Sequence, residues 1–331
     1  VSQMTYDGKL LFPVAMDAKE VCKYTIVPSD TAMIYSQVSA GRQYPERADD
    51  IAWENDIVGF RAYGPATQAK GEKAYGYDIF FKYPSAEPVL ECLYAPETSP
   101  RTWEIVDSLR KIDEALAQEF IHSFSYHVDH GLGMDCYAVG PTLGAGVAAV
   151  MQSDTIAYPW CYETAEVMDN GPLRFTVRMT FAPESTGDAS TLTEQRLITL
   201  DAGSHLNKCK VWYDGQNEPL AVVAGFPRRD NSDAQIYMDE NSGVIAYADP
   251  TQGTDNGKAL LGIVVPLQPD SVFEKCGHIL TGSTLEPTDT LTYYWGFAWD
   301  RTDISDMNEW DEYLKKYAQQ VKSPLKVAID Y

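Results

Sequence analysis

The sequence has few basic residues for its length. Its 331 residues include 26 Lys and Arg against 48 Asp and Glu, which gives a formal net charge of −22. Nucleic acids and anionic membranes attract proteins through clusters of basic side chains. We therefore expect no nucleic-acid partner, and any acidic ligand has to be recognised by a local basic pocket.

Long hydrophobic runs are also missing. No apolar run approaches the roughly 20 residues that a transmembrane helix needs, so we expect no membrane span. Residues 1–10 contain no signal-peptide pattern. With 44% hydrophobic and 22% charged residues, the chain has the composition of an ordinary folded protein with a large core.

Cysteines are sparse and widely spaced. The six cysteines form no Cys-x-x-Cys pair, which argues against a zinc ribbon or a thioredoxin-type site. An even number permits three disulfides, but so few cysteines in a long chain fit small buried apolar side chains at least as well. We expect buried free thiols.

Common nucleotide-binding and hydrolase motifs are absent. The sequence contains no Walker loop, no G-x-G-x-x-G opening a βαβ unit, no G-x-S-x-G and no H-E-x-x-H. These absences argue against nucleotide-dependent chemistry and against the common hydrolase mechanisms.

Short β segments separated by turns dominate what is present. In residues 173–181, apolar side chains alternate with Arg174, Thr176, Arg178 and Thr180, which predicts a strand with one buried face. Asp-Gly and Asn-Gly pairs between such segments favour tight reversals. The sequence predicts a mainly β fold, a large antiparallel β-sandwich with a few peripheral helices.

Two segments have helical periodicity instead. Apolar residues recur every three or four positions from Val106 to Phe120, after Ser99 and Pro100, and again from Trp310 to Val321. Each helix is expected to lay one apolar stripe over the sheet. We predict a single β-sandwich domain over residues 1–331, with helical decorations near 100–120 and 306–322.

The densest polar cluster spans residues 126–137 and holds two of the five histidines. If its first part is extended, His127 and Asp129 share a face and Val128 points into the core. Three interpretations stay open: a metal site formed by His127, Asp129, His130 and Asp135, an acid/base pair, or a hydrogen-bonded structural loop.

A second cluster covers residues 47–65 and contains carboxylates, two arginines, Asn55 and Trp53. An apolar ring face surrounded by carboxylate and amide groups suits a sugar. The alternative is an acidic surface loop before a strand, with Trp53 in the core.

A third set is centred on arginine. Arg228 and Arg229 follow a strand, and Trp295, Trp299 and Arg301 lie near the end of another. A guanidinium offers a planar fork for the carboxylate of an acidic sugar. Surface salt bridges to the abundant acidic residues are the commoner use of such arginines.

Several phrases together resemble the bacterial domain-of-unknown-function family 4861. The phrases are ERADDIAWEND at 46–56, FRAYGP at 60–65, YHVDHG at 126–131, GMDCY at 133–137, GPTLG at 140–144 and LDAGSHLN at 200–207. The last also resembles the strand-turn-strand of galactose-mutarotase-like β-supersandwiches, which is the fold that the resemblance implies. His130 departs from the family pattern, in which Tyr is expected.

The resemblance implies export to the periplasm or cell surface, with the leader absent from this chain, and work on polysaccharide fragments. It also implies, for some members, dehydration of a uronic acid at the non-reducing end of an oligosaccharide. Our leading hypothesis is such a carbon-oxygen lyase, with an oligosaccharide containing uronic acid as its partner and no cofactor.

The hypothesis gives each candidate residue a role. Arg47 or Arg228 neutralises the substrate carboxylate, His127 takes the C5 proton, and His130 or Tyr126 protonates the departing hydroxyl. The predicted substrate-binding residues are Trp53, Glu54, Asn55, Asp129, Arg228 and Trp299. No metal ligand is predicted.

Two other functions remain open at the sequence level. A sugar epimerase or mutarotase needs similar acid/base groups on a similar fold. A non-catalytic carbohydrate-binding protein would instead use Trp53, Trp295 and Trp299 as a platform.

Overall fold

A computed structural model describes residues 1–17, 19–27, 35–185, 191–229, 235–253, 255–266 and 270–329. Within these residues the chain is mainly β, and its strands pair antiparallel in four sheets. The predicted fold class, a large β-sandwich with few helices, is confirmed. No helix in the described ranges is long and apolar enough to cross a membrane.

Strands supply most of the regular structure. In chain order they are β1 Gln3–Met4, β2 Leu10–Leu11, β3 Ala40–Tyr44, β4 Asp50–Glu54, β5 Gly59–Ala62, β6 Asp78–Lys82, β7 Gly133–Met134, β8 Ala148–Gln152, β9 Thr155–Ala157, β10 Thr164–Asn170, β11 Arg174–Thr180, β12 Glu184–Ser185, β13 Thr191–Asp201, β14 Leu206–Asp214, β15 Leu220–Pro227, β16 Ile236–Asp239, β17 Val244–Pro250, β18 Lys258–Val264, β19 Ser271–Lys275, β20 His278–Leu285 and β21 Leu291–Trp299. The helices are α1 Pro65–Ala69, α2 Leu90–Thr98, α3 Pro100–Arg110, α4 Glu114–His122 and α5 Met307–Lys322.

The sheets differ in size. The largest has the strand order β10-β11-β13-β14-β21-β18-β17-β16, with β12 paired to β13. Two smaller sheets have the orders β3-β4-β5-β6-β7 and β19-β20-β15-β8-β9, and β1 pairs with β2. Apolar side chains of the large sheet and of both five-stranded sheets join in one core cluster, which makes the layered sandwich.

Strand β11 shows how alternation selects the core face. Phe175, Val177 and Met179 are fully buried, whereas Arg178 points to solvent. This follows from the period of two in a strand, which sends alternate side chains to opposite faces. The strand predicted over residues 173–181 is confirmed.

Aromatic ring contacts, one stacked and one edge-to-face, join the β3–β7 sheet to the large sheet. The ring centroid of Trp53, on β4, lies 6.2 Å from that of Phe175 and 6.4 Å from that of Trp295. The indole N–H of Trp53 donates to Asn207 Oδ1 at 2.8 Å, so its polar atom is satisfied inside the core.

The helix predicted across residues 100–120 is two helices in the structure. It begins at Pro100 as expected, but α3 ends at Arg110, and Asp113 caps α4 by accepting from the N–H of Ala115 at 2.7 Å. The predicted apolar stripe is only partly buried, because the break turns Ile112 to solvent with 76% of its surface exposed.

The C-terminal helix α5 is confirmed. Asp306 caps it by accepting from the N–H groups of Asn308 and Glu309. Trp310 and Leu314 are buried against the outer face of the large sheet, where Gly262 leaves room for them. The indole of Trp310 donates to the carbonyl of Leu261 at 3.0 Å.

The cysteine prediction is correct for half of the set. All six are free thiols, and Cys136, Cys161 and Cys209 are buried. Cys92 and Cys276 are exposed instead.

Helix α2 covers the outer face of the β3–β7 sheet. Phe80 of β6, Tyr94 of α2 and Tyr126 pack there in a small apolar cluster. Residues that follow α4 are thereby held against this sheet, which positions the polar segment that begins at Tyr126.

Candidate functional site

The segment after α4 is a turn, so the condition under which His127 and Asp129 would share a strand face is not met. The N–H of Val128 donates to the carbonyl of Ser125 at 3.1 Å, which closes the turn. Glu97 of α2 fixes its start, since one carboxylate oxygen accepts from both the Ser125 hydroxyl and the N–H of Tyr126. His127 is left at the surface, with 53% of its side chain exposed.

Arg47, Tyr126 and His127 come together here, Tyr126 buried and the other two partly exposed. Arg47 Nε donates to the Tyr126 hydroxyl at 3.0 Å. The ring centroids of Tyr126 and His127 lie 4.5 Å apart. A guanidinium, a phenol and an imidazole therefore meet beside the β3–β7 sheet, and the sequence hypothesis had assigned catalytic roles to all three.

Strained backbone presents Arg47. A short 3-10 turn at Pro45–Arg47 is followed by Ala48 and Asp49, both in the left-handed region with φ of 54° and 59°. Left-handed backbone is uncommon and costs energy in residues other than glycine, and such residues cluster at functional sites. Gly64 packs against Asp49 so closely that any Cβ at Gly64 would collide with the Asp49 carbonyl.

A buried ionic network lies behind the three residues. Arg61 on β5 binds Asp78 on β6, and its Nη2 donates to Asp135 Oδ2 at 2.8 Å. The hydroxyl of Tyr63 donates to Asp78 at 2.7 Å. Arg61, Asp78 and Asp135 are almost fully buried, so each charge depends on the others for solvation.

The network fixes the orientation of His127. Asp135 is held from both ends, because its side chain binds Arg61 and its N–H donates to the carbonyl of Tyr126 at 2.8 Å. The carbonyl of Asp135 in turn lies 2.9 Å from His127 Nδ1. Since a carbonyl only accepts, Nδ1 carries the proton in the neutral ring and Nε2 keeps the lone pair of a base.

Burial changes the acidity of the groups beside His127. It raises the pKa of Asp135 to about 6, and the neighbouring charge of Asp78 adds to this. The Asp135 carboxyl also lies 3.9 Å from His127 Nδ1. Burial likewise raises the pKa of Tyr126, which keeps its phenol protonated at neutral pH.

Asp50 completes the surroundings of Arg47. Its Oδ2 lies 3.6 Å from Arg47 Nη1 and has no hydrogen-bond partner among the described residues. The carboxyl is fully buried at the start of β4, and burial raises its pKa to about 6. Arg47 therefore faces a carboxyl on one side while 32% of its side chain remains exposed on the other.

Trp53 and Trp299 lie inside the protein rather than at the site. Their exposed fractions are 0% and 2%, and that of Trp295 is 0%. A sugar platform needs an open ring face, so these three rings form none. Each of the three rings packs between sheets. For Trp53, a position in the core is the alternative that the sequence left open.

Glu54 and Asn55 have structural roles in place of the predicted substrate contacts. Glu54 is buried, pairs with Lys82 at 2.5 Å, and accepts from the N–H groups of Val89 and Leu90 at the start of α2. Asn55 is fully buried and donates to the carbonyls of Asp201 and Ser204. Their polar atoms are engaged by the protein itself.

Asp129, His130 and Arg228 are not brought into contact with His127. Asp129 accepts from the N–H groups of Gly131 and Gly133 and from the Tyr83 hydroxyl, which stabilises its own loop. His130 is exposed, with its ring 6.3 Å from that of His122. Arg228 forms a surface salt bridge with Glu274, the commoner use expected for it.

The structure adds residues that the sequence hypothesis did not select. Arg61, Asp78 and Tyr63 were missed, although Arg61 and Tyr63 stand within a phrase quoted for the family. An arginine in a strand whose neighbours Phe60 and Ala62 are apolar is the signal that could have identified Arg61. Within the described ranges, no three His, Cys, Asp or Glu side chains cluster as a metal site.

Sequence comparison places the chain among known proteins. Residues 2–327 match the family described as Domain of unknown function (DUF4861). The chain is also 25% identical over 300 residues to Uncharacterized protein P7 of Formosa agariphila, an alignment that covers 87% of this chain and 69% of that protein. Since the family model spans nearly the whole sequence, the chain belongs to the DUF4861 family.

Proposed function

We propose that the protein is a carbon-oxygen lyase that removes water from a uronate at the non-reducing end of an oligosaccharide. The observation that supports this best is the meeting of Arg47, Tyr126 and His127, with Arg47 Nε 3.0 Å from the Tyr126 hydroxyl and the two rings 4.5 Å apart. Elimination next to a carboxylate requires a cation, a base and an acid, and these residues supply one of each.

Arg47 would bind the substrate carboxylate. The C5 hydrogen of a uronate is poorly acidic, because its removal places further negative charge beside an ionised carboxylate. A guanidinium paired with that carboxylate stabilises the enolate-like intermediate. Arg47 is suited to this because part of its side chain is open to solvent while Tyr126 and Asp50 hold the rest.

His127 would take the C5 proton. Its Nδ1 is committed to the Asp135 carbonyl, so Nε2 is the basic atom. The lone pair of Nε2 forms the new N–H bond, and the electrons of the C5–H bond form the C4–C5 double bond.

Tyr126 would protonate the departing hydroxyl at C4. Its oxygen accepts from Arg47, which leaves its own proton free to be donated, and burial keeps the phenol neutral. Protonation lets the C4–O bond break with release of one water. Position favours Tyr126 over His130 as the acid, since Tyr126 contacts both Arg47 and His127.

A C5 epimerase is the second candidate, and the same three residues support it. An epimerase removes the same proton and then returns one to the opposite face. The two reactions differ in mass, because epimerisation conserves it and dehydration loses one water.

The proposal also covers the cellular location at which the protein acts. An exported protein in the periplasm or at the cell surface would meet oligosaccharides released from external polysaccharides. Cell fractionation with an antibody to the protein would test this, and recovery in the cytoplasmic fraction would contradict it.

Ultraviolet absorbance of the conjugated product tests the roles of the residues. We expect His127→Ala to lower the rate by at least about 100-fold, the usual contribution of a general base. His122→Ala is the matched control, because His122 is an exposed histidine at the end of α4. Equal rates for both variants, with folding verified by circular dichroism, would exclude His127 as the base.

A further inference from the structure

An open cleft of about 310 Å³ lies on the outer face of the large sheet. Its floor is formed by β11, β13, β14 and β21. The β1–β2 hairpin and helix α5 form its walls. The Arg47–His127 site lies beside a different sheet, so the cleft is a separate feature.

Strand register aligns the floor of the cleft. Thr176 pairs with Thr199, Thr199 with Lys208, and Lys208 with Tyr294. Paired residues of neighbouring strands lie on the same face of a sheet. The row of paired residues therefore places the hydroxyl of Thr199 and the ammonium of Lys208 in the cleft, between Thr176 and Tyr294, which line it but are buried.

The charge of the cleft is opposite to that of the chain. Lys9, Arg174, Lys208 and Lys210 line it, and the carboxylates of Asp7 and Asp201 are its only acidic groups among the described residues. Those two are already paired, Asp7 with Lys9 and Asp201 with Arg174.

Lys208 and Lys210 remain without a salt bridge in the part of the chain that the structure describes, and both are on β14. Two residues apart, they point to the same face. In a chain with a net charge of −22, a local excess of positive charge is an unusual arrangement.

Lys208 is held in an unfavourable setting. It is half-buried, and burial together with the neighbouring charges of Lys210 and Arg174 lowers its pKa. A bound anion would offset this repulsion. The carboxylate of Asp201 offsets part of this repulsion, but no described carboxylate forms a salt bridge with Lys208.

Aromatic rings lie beside the cations. The ring centroids of Tyr294 and Tyr317 are 5.2 Å apart, and both residues line the cleft, Tyr317 half-buried and Tyr294 buried beside it. Phenol rings next to ammonium groups and hydroxyls match the two features of an acidic sugar, an apolar C–H face and a charged substituent.

We propose that this cleft binds an acidic oligosaccharide, with a carboxylate or sulfate group between Lys208 and Lys210 and a sugar ring against Tyr317. The proposal does not depend on the elimination reaction. It gives the protein a second, non-catalytic binding site for an anionic glycan, away from Arg47 and His127.

Isothermal titration calorimetry tests the proposal. The parent protein is the His127→Ala variant, so that turnover does not consume the ligand. The probes are hexagalacturonate, a sulfated carrageenan hexasaccharide, neutral cellohexaose and sodium sulfate. We expect the first or second hexasaccharide to bind at least about tenfold more tightly than cellohexaose and sodium sulfate.

Paired substitutions locate the binding. Lys208→Gln with Lys210→Gln should weaken binding of the acidic hexasaccharide at least about tenfold, and Lys70→Gln with Lys73→Gln should leave it unchanged. Both pairs remove two charges, and Lys70 and Lys73 are exposed outside the cleft. If the Lys208→Gln, Lys210→Gln variant does not fold, Lys210→Gln alone replaces it, because Lys210 is exposed. We expect this single substitution to weaken binding of the acidic hexasaccharide several-fold.

Three results would overturn the proposal. One is equal affinity in the two paired variants, and another is binding of cellohexaose as tight as that of both acidic hexasaccharides. The third is sodium sulfate binding as tightly as they do, which would mean that the cleft recognises an anion and not a sugar.

Discussion

At the scale of single residues, one buried guanidinium organises the candidate site. Arg61 holds Asp78 and Asp135, and Asp135 holds His127 through its carbonyl. Buried ion pairs contribute little net stability, whereas loss of one partner leaves the other charge buried and uncompensated. We interpret Arg61 as a positioning residue that gives His127 one tautomer and one orientation.

The buried carboxyl of Asp50 predicts a pH dependence of stability. Its pKa rises from 3.8 in the unfolded chain to about 6 in the folded protein. Between these values the folded state binds more protons, so the free energy of unfolding falls as pH rises from about 4 to about 6. Asp50→Asn cannot titrate and should remove up to about 2 to 3 kcal/mol of this fall.

Urea denaturation across this pH range measures the effect. Asp49→Asn is the matched control, because Asp49 is the neighbouring carboxyl and is only half-buried. Parallel stability curves for wild type and Asp50→Asn would contradict the assignment of a raised pKa to Asp50.

At the scale of elements, Glu54 links a strand to a helix. Its carboxylate pairs with buried Lys82 on β6 and accepts from the first N–H groups of α2, where the helix dipole favours a negative charge. Glu54→Gln would leave Lys82 without its counter-charge. Breaking such a pair costs about 3 to 5 kcal/mol, so we expect a loss of stability of that order.

Thermal and chemical unfolding measure this loss. Glu91→Gln serves as the control, since the Glu91 carboxylate is 61% exposed and its salt bridge with Arg42 lies at the surface. An unchanged stability of Glu54→Gln, combined with weaker oligosaccharide binding, would restore the substrate-binding role that the sequence suggested.

Periodicity and turn chemistry predicted most of these elements. Apolar residues alternate in β11 and form a stripe from Trp310 to Val321 in α5, and both patterns show which face of the element is buried. Such local patterns are visible in the sequence. The break between α3 and α4 was missed because the apolar spacing continues through Ile112. In the structure Asp113 is the N-cap of α4, so a new helix begins there. From the sequence alone, Asp113 could equally have been a residue inside one long helix.

At the scale of the whole molecule, the candidate site could be predicted only in part. Arg47, Tyr126 and His127 were selected by residue type, and the fold brings them together. Whether Trp53 and Asn55 are buried depends on how the sheets stack, and no local sequence pattern shows this. The partners of Arg61 are 17 and 74 residues away in the chain, so their pairing becomes visible only in three dimensions.

The net charge of −22 predicts an effect of salt on catalysis. An acidic oligosaccharide is repelled at long range, and salt screens this repulsion over a Debye length of about 10 Å at 0.1 M. We expect kcat/KM for a uronate-ended substrate to rise as NaCl increases from about 0.01 M to about 0.1 M. A steady fall over this range would show that local attraction governs the encounter instead.

Mass spectrometry of a uronate-ended oligosaccharide incubated with the pure protein tests the central claim most directly. The account predicts a product lighter than the substrate by one water and absorbing in the ultraviolet, formed by the wild type and by His122→Ala, and at least about 100-fold more slowly by His127→Ala. A substrate of unchanged mass after incubation with oligosaccharides ending in each of the common uronates would contradict it.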